Sequence, residues 1–581
     1  MHDLVIRGGT VVDGTGAPAR TADVAVDDGV IVEVGRVSGS ARRTIAADGL
    51  LVTPGFVDIH THFDGQATWD PHLTPSCWHG VTTAVLGNCG VGFAPARPLR
   101  HEDLIEVMEG VEDIPGTALS EGIRWNWETF PEYLDALAAM PRAVNIGAQV
   151  PHAAVRSYVM GERGREGDAT AEDMAAMTAI VREALRAGAM GFSTGRTAGH
   201  RDVHGGFVPG TFAAQDEIAA LLAVLDEVGT GVFQLVPAGT SGEIGGDADG
   251  AMEVELDWIL RYGRHSSRPI TFLVMESVTH PDSWRPWFDA VRAANAEGAR
   301  IYPQVASRCF GVLMGHQSRM NPLQYRPSYA ELADLPFEEK MARLRQPDVR
   351  SRILSEESVL PEKYAMDQDT PAIFSRLFAL GEHLDYEPRA SDSVLAIAER
   401  TGQDPWAVTY DLLLGSGGRD FLLFPLLNYG RSSYDGLYDM LSDPMTVQGL
   451  GDGGAHCGLV CDASMTTYLL THWARDRSRG PMLPLEVAVR RLSGDAAHLY
   501  GMDDRGVVAP GLRADLNVID FDTLALRHPE RVTDLPAGAG RLIQRSDGYV
   551  ETIVGGETIV DDGELTDARP GALVRSTART A

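Results

Sequence analysis

Gly55-Phe56-Val57-Asp58-Ile59-His60-Thr61-His62 is the stretch on which the fold turns. Val57, Ile59 and Thr61 alternate with Asp58, His60 and His62, the period of a strand. The two histidines therefore share one face, about 6–7 Å apart, and can converge on a single cation. Pro54 and Gly55 end whatever precedes the strand and let it begin cleanly. An isolated His-x-His is more often a pair of strand histidines satisfied by backbone carbonyls. The aspartate on the same face and the Pro-Gly start favour a metal site here.

Working outward, seven more strand-like runs follow the first (56–60): 82–87, 144–150, 190–194, 231–236, 270–274, 300–305 and 446–451. Helical patterns lie between most of them. The clearest spans 171–187, with Thr170 as cap, Asp173 three residues on, an apolar stripe at Met174, Met177, Val181 and Leu185, and Gly188 as stop. Eight strands with intervening helices predict an α/β fold, a TIM-like (β/α)8 barrel over residues 53–500. The two ends read differently. Residues 1–52 and 501–565 alternate apolar and polar around turn signals such as Asp13-Gly14 and Asp28-Gly29, which predicts one small β-sandwich domain built from both termini. The spacing breaks once, at about 307–396, where polar, proline-punctuated helical segments suggest an inserted lid or an oligomer contact. Residues 566–581 read as a flexible tail.

The 581 residues carry 44% hydrophobic and 23% charged side chains, the composition of a globular protein. A net charge of -31 argues against nucleic acid or an anionic membrane as partner, since both are polyanions. No apolar run reaches the roughly 18 residues of a membrane span, and the first residues lack the features of a secretion signal. Five cysteines, odd in number and scattered, indicate no disulfide framework. The expectation is a cytoplasmic enzyme with a small-molecule substrate, able to form a homo-oligomer.

Barrel active sites are built where strands end. His60 and His62 end strand one. Cys89 ends strand two in Gly87-Asn88-Cys89-Gly90, as a thiolate ligand or an inert core cysteine. Asp452 ends strand eight, where a carboxylate can bind the metal and shuttle a proton. His456, four residues on, reads equally as a further ligand, a donor to one, or a loop histidine. His152 follows strand three, and Ser193 and Arg196 end strand four. Arg196, Arg201, Arg308 and Arg431 are candidate anion clamps, Arg196 the best placed.

The chain resembles the amidohydrolase superfamily, and within it the N-acyl-D-amino-acid deacylase branch. The residues that carry this are Pro54 to Asp64, Gly87-Asn88-Cys89-Gly90, Gly191-Phe192-Ser193-Thr194-Gly195, Asp452-Gly453 and Ala509-Pro510-Gly511-Leu512-Arg513-Ala514-Asp515. The resemblance implies zinc-dependent hydrolysis of the amide bond of an N-acyl amino acid or related small amide. It implies His60, His62, Cys89 and Asp452 as metal ligands, with Asp452 also the general acid and base. Two departures stand out. The branch carries histidines at the ends of strands five and six, where this chain has Val236 and Val274. A bridging lysine carbamate is excluded, because the only lysines are Lys340 and Lys363, both in the insertion. One divalent metal per chain, zinc by the thiolate and imidazole donors, is therefore expected. Where the branch supplies a lysine for the substrate carboxylate, this chain has Met275-Glu276. Gln234 and Glu276 are then expected to read a neutral or amine-bearing group. The alternatives are the same metal barrel with another reaction (cyclic amide or ester hydrolysis, ring closure, elimination) or a non-catalytic binding descendant.

Overall fold

The structure, a computed structural model, describes residues 1–240, 248–359, 371–381 and 384–577. Its centre is a set of eight parallel strands in chain order: Phe56–Asp58, Val81–Leu86, Asn145–Ala148 continued by Val150–Pro151, Gly191–Gly195, Val232–Val236, Ile270–Leu273, Ile301–Val305 and Val447–Gln448. Strands one to three form one sheet, and strands three to eight the other. Strand three joins them: Asn145–Ala148 pairs with strand two and Val150–Pro151 with strand four, with Gln149 alone between. Thr61 and Gly453 make a parallel bridge between the continuations of strands one and eight. There the Asp452 N–H donates to His60 O at 3.0 Å and the His62 N–H to Gly453 O at 2.8 Å. The order is the one a (β/α)8 arrangement requires. Strand five, Val232–Val236, is buried at every position, as a parallel strand covered on both faces must be.

The helix read over 171–187 is Ala171–Arg186, opened by a reciprocal capping box between Thr170 and Asp173, with Met177, Val181 and Leu185 buried. Both chain ends contribute to one nine-stranded sheet, joined where Leu51–Pro54 pairs antiparallel with Leu516–Ile519. Leu4, Ile6, Val24, Val52, Leu516, Val518 and Ile553 make its core.

Two expectations change. The insertion does not end near 396. Strands Phe310–Met314 and Phe378–Ala379 pair antiparallel with Leu422–Leu427, and Val394, Val408, Tyr410, Leu413 and Phe424 share one apolar core with Leu323, Met341 and Ile353. Residues 422–427 are apolar throughout, so no alternation marks them as a strand. Nor is the segment after 566 loose through its described length. Gly571 donates to Arg142 O at 2.9 Å, Val574 to Ile146 O at 2.6 Å and Ser576 to Gly188 O at 3.0 Å. This covers the edge of Asn145–Ala148 that strand four leaves open. Residues 578–581 and Lys363 lie outside the described residues. Among the described residues no helix is long and apolar enough to cross a membrane.

Candidate metal centre

His60 and His62 leave strand one side by side, their ring centroids 5.4 Å apart. Cys89 comes in from the turn after strand two, so that one donor atom each of His60, His62 and Cys89 lie within 4.8 Å of one another, all buried. The His60 Nε2 is 3.2 Å from Cys89 Sγ. Asp452 Oδ1 is 3.5 Å from His60 Nε2 and 3.9 Å from His62 Nε2. The backbone is held to present these groups. Cys89, Leu450, Asp452 and His456 all have positive φ, at 56°, 63°, 41° and 50°. Strained residues of this kind cluster at functional sites because the surroundings must over-determine them.

Hydrogen bonds hold His60 and the Cys89 turn. Gln304, on strand seven, accepts from His60 Nδ1 at 2.6 Å, so the proton sits on Nδ1 and the Nε2 lone pair faces Cys89. Glu112, at the end of helix His101–Glu112, lies 3.3 Å from His62 Nδ1 and 3.7 Å from His456 Nε2. Its carbonyl also takes the His456 N–H. The Gln234 Oε1 accepts the Cys89 N–H at 3.0 Å. Ser193 accepts the Gly90 N–H at 3.1 Å and donates to Gly87 O, tying the turn from below. Asp64 Oδ2 accepts the Gly87 N–H at 3.1 Å.

The electrostatics ask for a cation. Burial pushes the Asp452 carboxyl well above the usual carboxylate range, and Asp462 and Asp58 push it further. Burial does the same to Glu112, reinforced by Asp452 and Asp64. Asp58 and Asp64 are pushed up to about 7 by burial. Burial drives His60 down to about 3 and His62 well below the ordinary imidazole value. Buried carboxyls in such number are tolerated when they are paired or gathered round a metal. Two neutral imidazoles, a thiol and a carboxylate are a donor set that suits zinc. The residues present fit a divalent metal.

The other candidates separate clearly. His456 is half-buried beside Glu112, not among the converging donors. His152 is taken at both ring nitrogens, by Thr194 Oγ1 and Glu217 Oε1, each at 2.8 Å, so it has none to offer a metal or substrate. Arg196 gives its Nε to Glu255 at 2.8 and 3.0 Å and its Nη1 to Ala213 O. Glu276 accepts the Gly430 N–H at 2.6 Å and so holds the loop that follows Leu427. Val236 and Val274 are buried apolar residues, as read. Glu112, Gln304 and Asp64 escaped the reading of roles. Only Asp64 carried a signal, two residues past His62 in the same alternation. His200, in the loop after strand four, also escaped it; it lowers the pKa of His60 and His62, and its own Nδ1 lacks a partner.

A model of the amidohydrolase family matches residues 43–560. Similar chains include D-aminoacylase of Alcaligenes xylosoxydans xylosoxydans, 27% identical, with 99% of this chain and 98% of that one covered. N-acyl-D-glutamate deacylase of the same organism is 28% identical over 100% of this chain and 98% of its own. Among solved structures, N-acyl-D-glutamate deacylase from Bordetella bronchiseptica, complexed with zinc and a phosphonate inhibitor, matches with a TM-score of 0.64 at 23% identity over 99% of both chains.

Proposed function

The chain belongs to the amidohydrolase family and is a hydrolase of amide bonds, and on that premise we propose that it cleaves an N-acyl amino acid with one zinc ion held by His60, His62, Cys89 and Asp452. The observation that carries this is the convergence of the His60, His62 and Cys89 donors within 4.8 Å, with Asp452 beside them. When bound, the metal supplies Lewis acidity toward the amide carbonyl and the attacking water. The chain's own groups do the rest. Asp452 takes a proton from the attacking water at its carboxylate and delivers it to the leaving amine. Gln304 fixes the His60 imidazole by its Nδ1, Glu112 stands 3.3 Å from the His62 Nδ1, and Gln234 fixes the Cys89 turn.

The eight strands form a (β/α)8 barrel in this reading, and the insertion is its lid. Two contacts support the lid: the Leu313 N–H donates to Leu459 O and the Arg319 N–H to Gly458 O, both in the loop that follows Asp452. Val236 and Val274, where the resembling branch has histidines, favour one metal over two and keep a second reaction class, cyclic amide or ester hydrolysis, in view. A panel of N-acyl-D- and N-acyl-L-amino acids, cyclic amides and esters, run on zinc-reconstituted protein, tests the assignment. Release of free amino acid from an N-acyl compound, abolished by chelation, is expected. Turnover confined to the rings or esters would contradict it.

A further inference from the structure

His152 has both ring nitrogens taken, and His456 faces Glu112, its Nε2 3.7 Å from Oε2. His200, in the 196–214 loop that follows strand four, is different. Its Nδ1 is buried and lacks a partner, and no hydrogen bond among the described residues engages its Nε2. The residue as a whole is only half-buried.

The loop holds this ring against the metal ligands. A Cβ added to Gly195, the last residue of strand four, would stand 2.6 Å from Cys89 O and 3.6 Å from His200 Nδ1. Only a residue without a side chain lets the imidazole and the Cys89 turn come that close. On one side of the ring, the His200 N–H donates to Thr197 O at 3.4 Å. On the other, the Val203 N–H donates to Glu106 O at 3.3 Å, and the Arg201 carbonyl packs on Gly110. Glu106 and Gly110 belong to helix His101–Glu112, the same helix that brings Glu112 to His62. Charge on His200 is felt by both His60 and His62. Burial, reinforced by His456, brings the His200 pKa down to about 4, so the ring is neutral at pH 7. A neutral imidazole offers one N–H without setting a second cation beside the metal, as a lysine or arginine would. The groups assigned so far leave that need open. Asp452 moves the proton, and Gln304 and Gln234 hold the ligands through their oxygens. Amide cleavage also needs a fixed donor at the oxygen where negative charge gathers.

We propose that the His200 imidazole contacts the substrate, donating a hydrogen bond to the oxygen of the scissile carbonyl and stabilising the negative charge that develops there as water attacks. This rests on the reading of the chain as a hydrolase of N-acyl amino acids, and it adds a catalytic residue from the loop after strand four.

The test is calorimetry on zinc-reconstituted protein with N-acetylglycine and N-(methylphosphonyl)glycine, an achiral pair in which a tetrahedral, anionic phosphonyl group replaces the planar carbonyl. His200→Ala should weaken binding of the phosphonyl compound roughly ten- to hundredfold, the range of a hydrogen bond to a charged group. N-acetylglycine should change by less than about threefold, and zinc content not at all. His200→Asn or His200→Gln, which set an amide N–H near the place of Nδ1 or Nε2, should recover part of the loss. A histidine that only packs the loop would weaken both compounds alike. Equal losses, no loss, or a native chain that binds neither compound would overturn the assignment. If His200→Ala does not fold, near-native binding of the phosphonyl compound by both amide variants would overturn it as well. In turnover, His200→Ala should lower kcat about 10²–10³-fold at a nearly unchanged KM. A chain that shows the binding pattern and cleaves no N-acyl compound contradicts the proposed reaction alone, and one that cleaves such compounds equally well without His200 contradicts the role of His200 alone.

Discussion

At the scale of residues, the four groups at the focus differ in what they are expected to lose on substitution. Asp452 is the only one asked both to hold the metal and to move a proton. Asp452→Asn should keep the fold and lower kcat by about 10²–10⁴-fold or more, and near-native turnover would contradict its role. Cys89→Ser removes the thiolate 3.2 Å from His60 Nε2 and should weaken zinc retention measurably in dialysis against a chelator. Glu112→Gln should cost roughly 10–100-fold in zinc affinity, because it removes the carboxyl 3.3 Å from His62 Nδ1. The convergence of His60, His62 and Cys89, with Asp452 beside them, was anticipated from short motifs at the expected strand ends. Glu112 and Gln304 were not. Each sits far along the chain from the residue it orients, and a glutamate in a helix's last turn looks like any solvated acid.

At the scale of elements, periodicity read the eight strands to within a few residues, because parallel strands buried on both faces are continuous apolar runs between turn signals. It failed in the insertion, whose strands are short and separated by many helical residues. Position in a strand did not give orientation either. Glu276 was expected to face the substrate, yet it holds the 428–436 loop through the Gly430 N–H. Burial raises its pKa from 4.5 to about 7. A folded-state value above the unfolded one gives stability that is full below about 4.5 and lost as pH rises through about 7. Glu276→Gln keeps the acceptor without the charge. Its free energy of unfolding in urea should match that of the native chain near pH 4 and exceed it at pH 8, by on the order of 2 kcal/mol. A difference of the same size at both pH values would show that Glu276 is not the titrating group.

At the scale of the whole molecule, the chain ends are structural. Strands of the first 54 residues share one sheet with Leu516–Ile519, Tyr549–Val554, Glu557–Asp561 and Glu564–Leu565, and 571–576 run along strand three. Removing the chain from residue 571 onward should lower the thermal midpoint by a few degrees, and an unchanged midpoint would show that the segment carries no stability. The shared sheet was legible because alternation and turn signals recur at both ends. The docking of the final segment was not, since its contacts are made by backbone groups that leave no mark on composition. The most direct test of the proposed metal centre is metal stoichiometry by elemental mass spectrometry on protein purified without a metal-binding tag. About one zinc per chain is expected, from the His60, His62, Cys89 and Asp452 donors. No metal before or after reconstitution would contradict the metal centre, and two per chain would contradict the loss of the second site at Val236 and Val274.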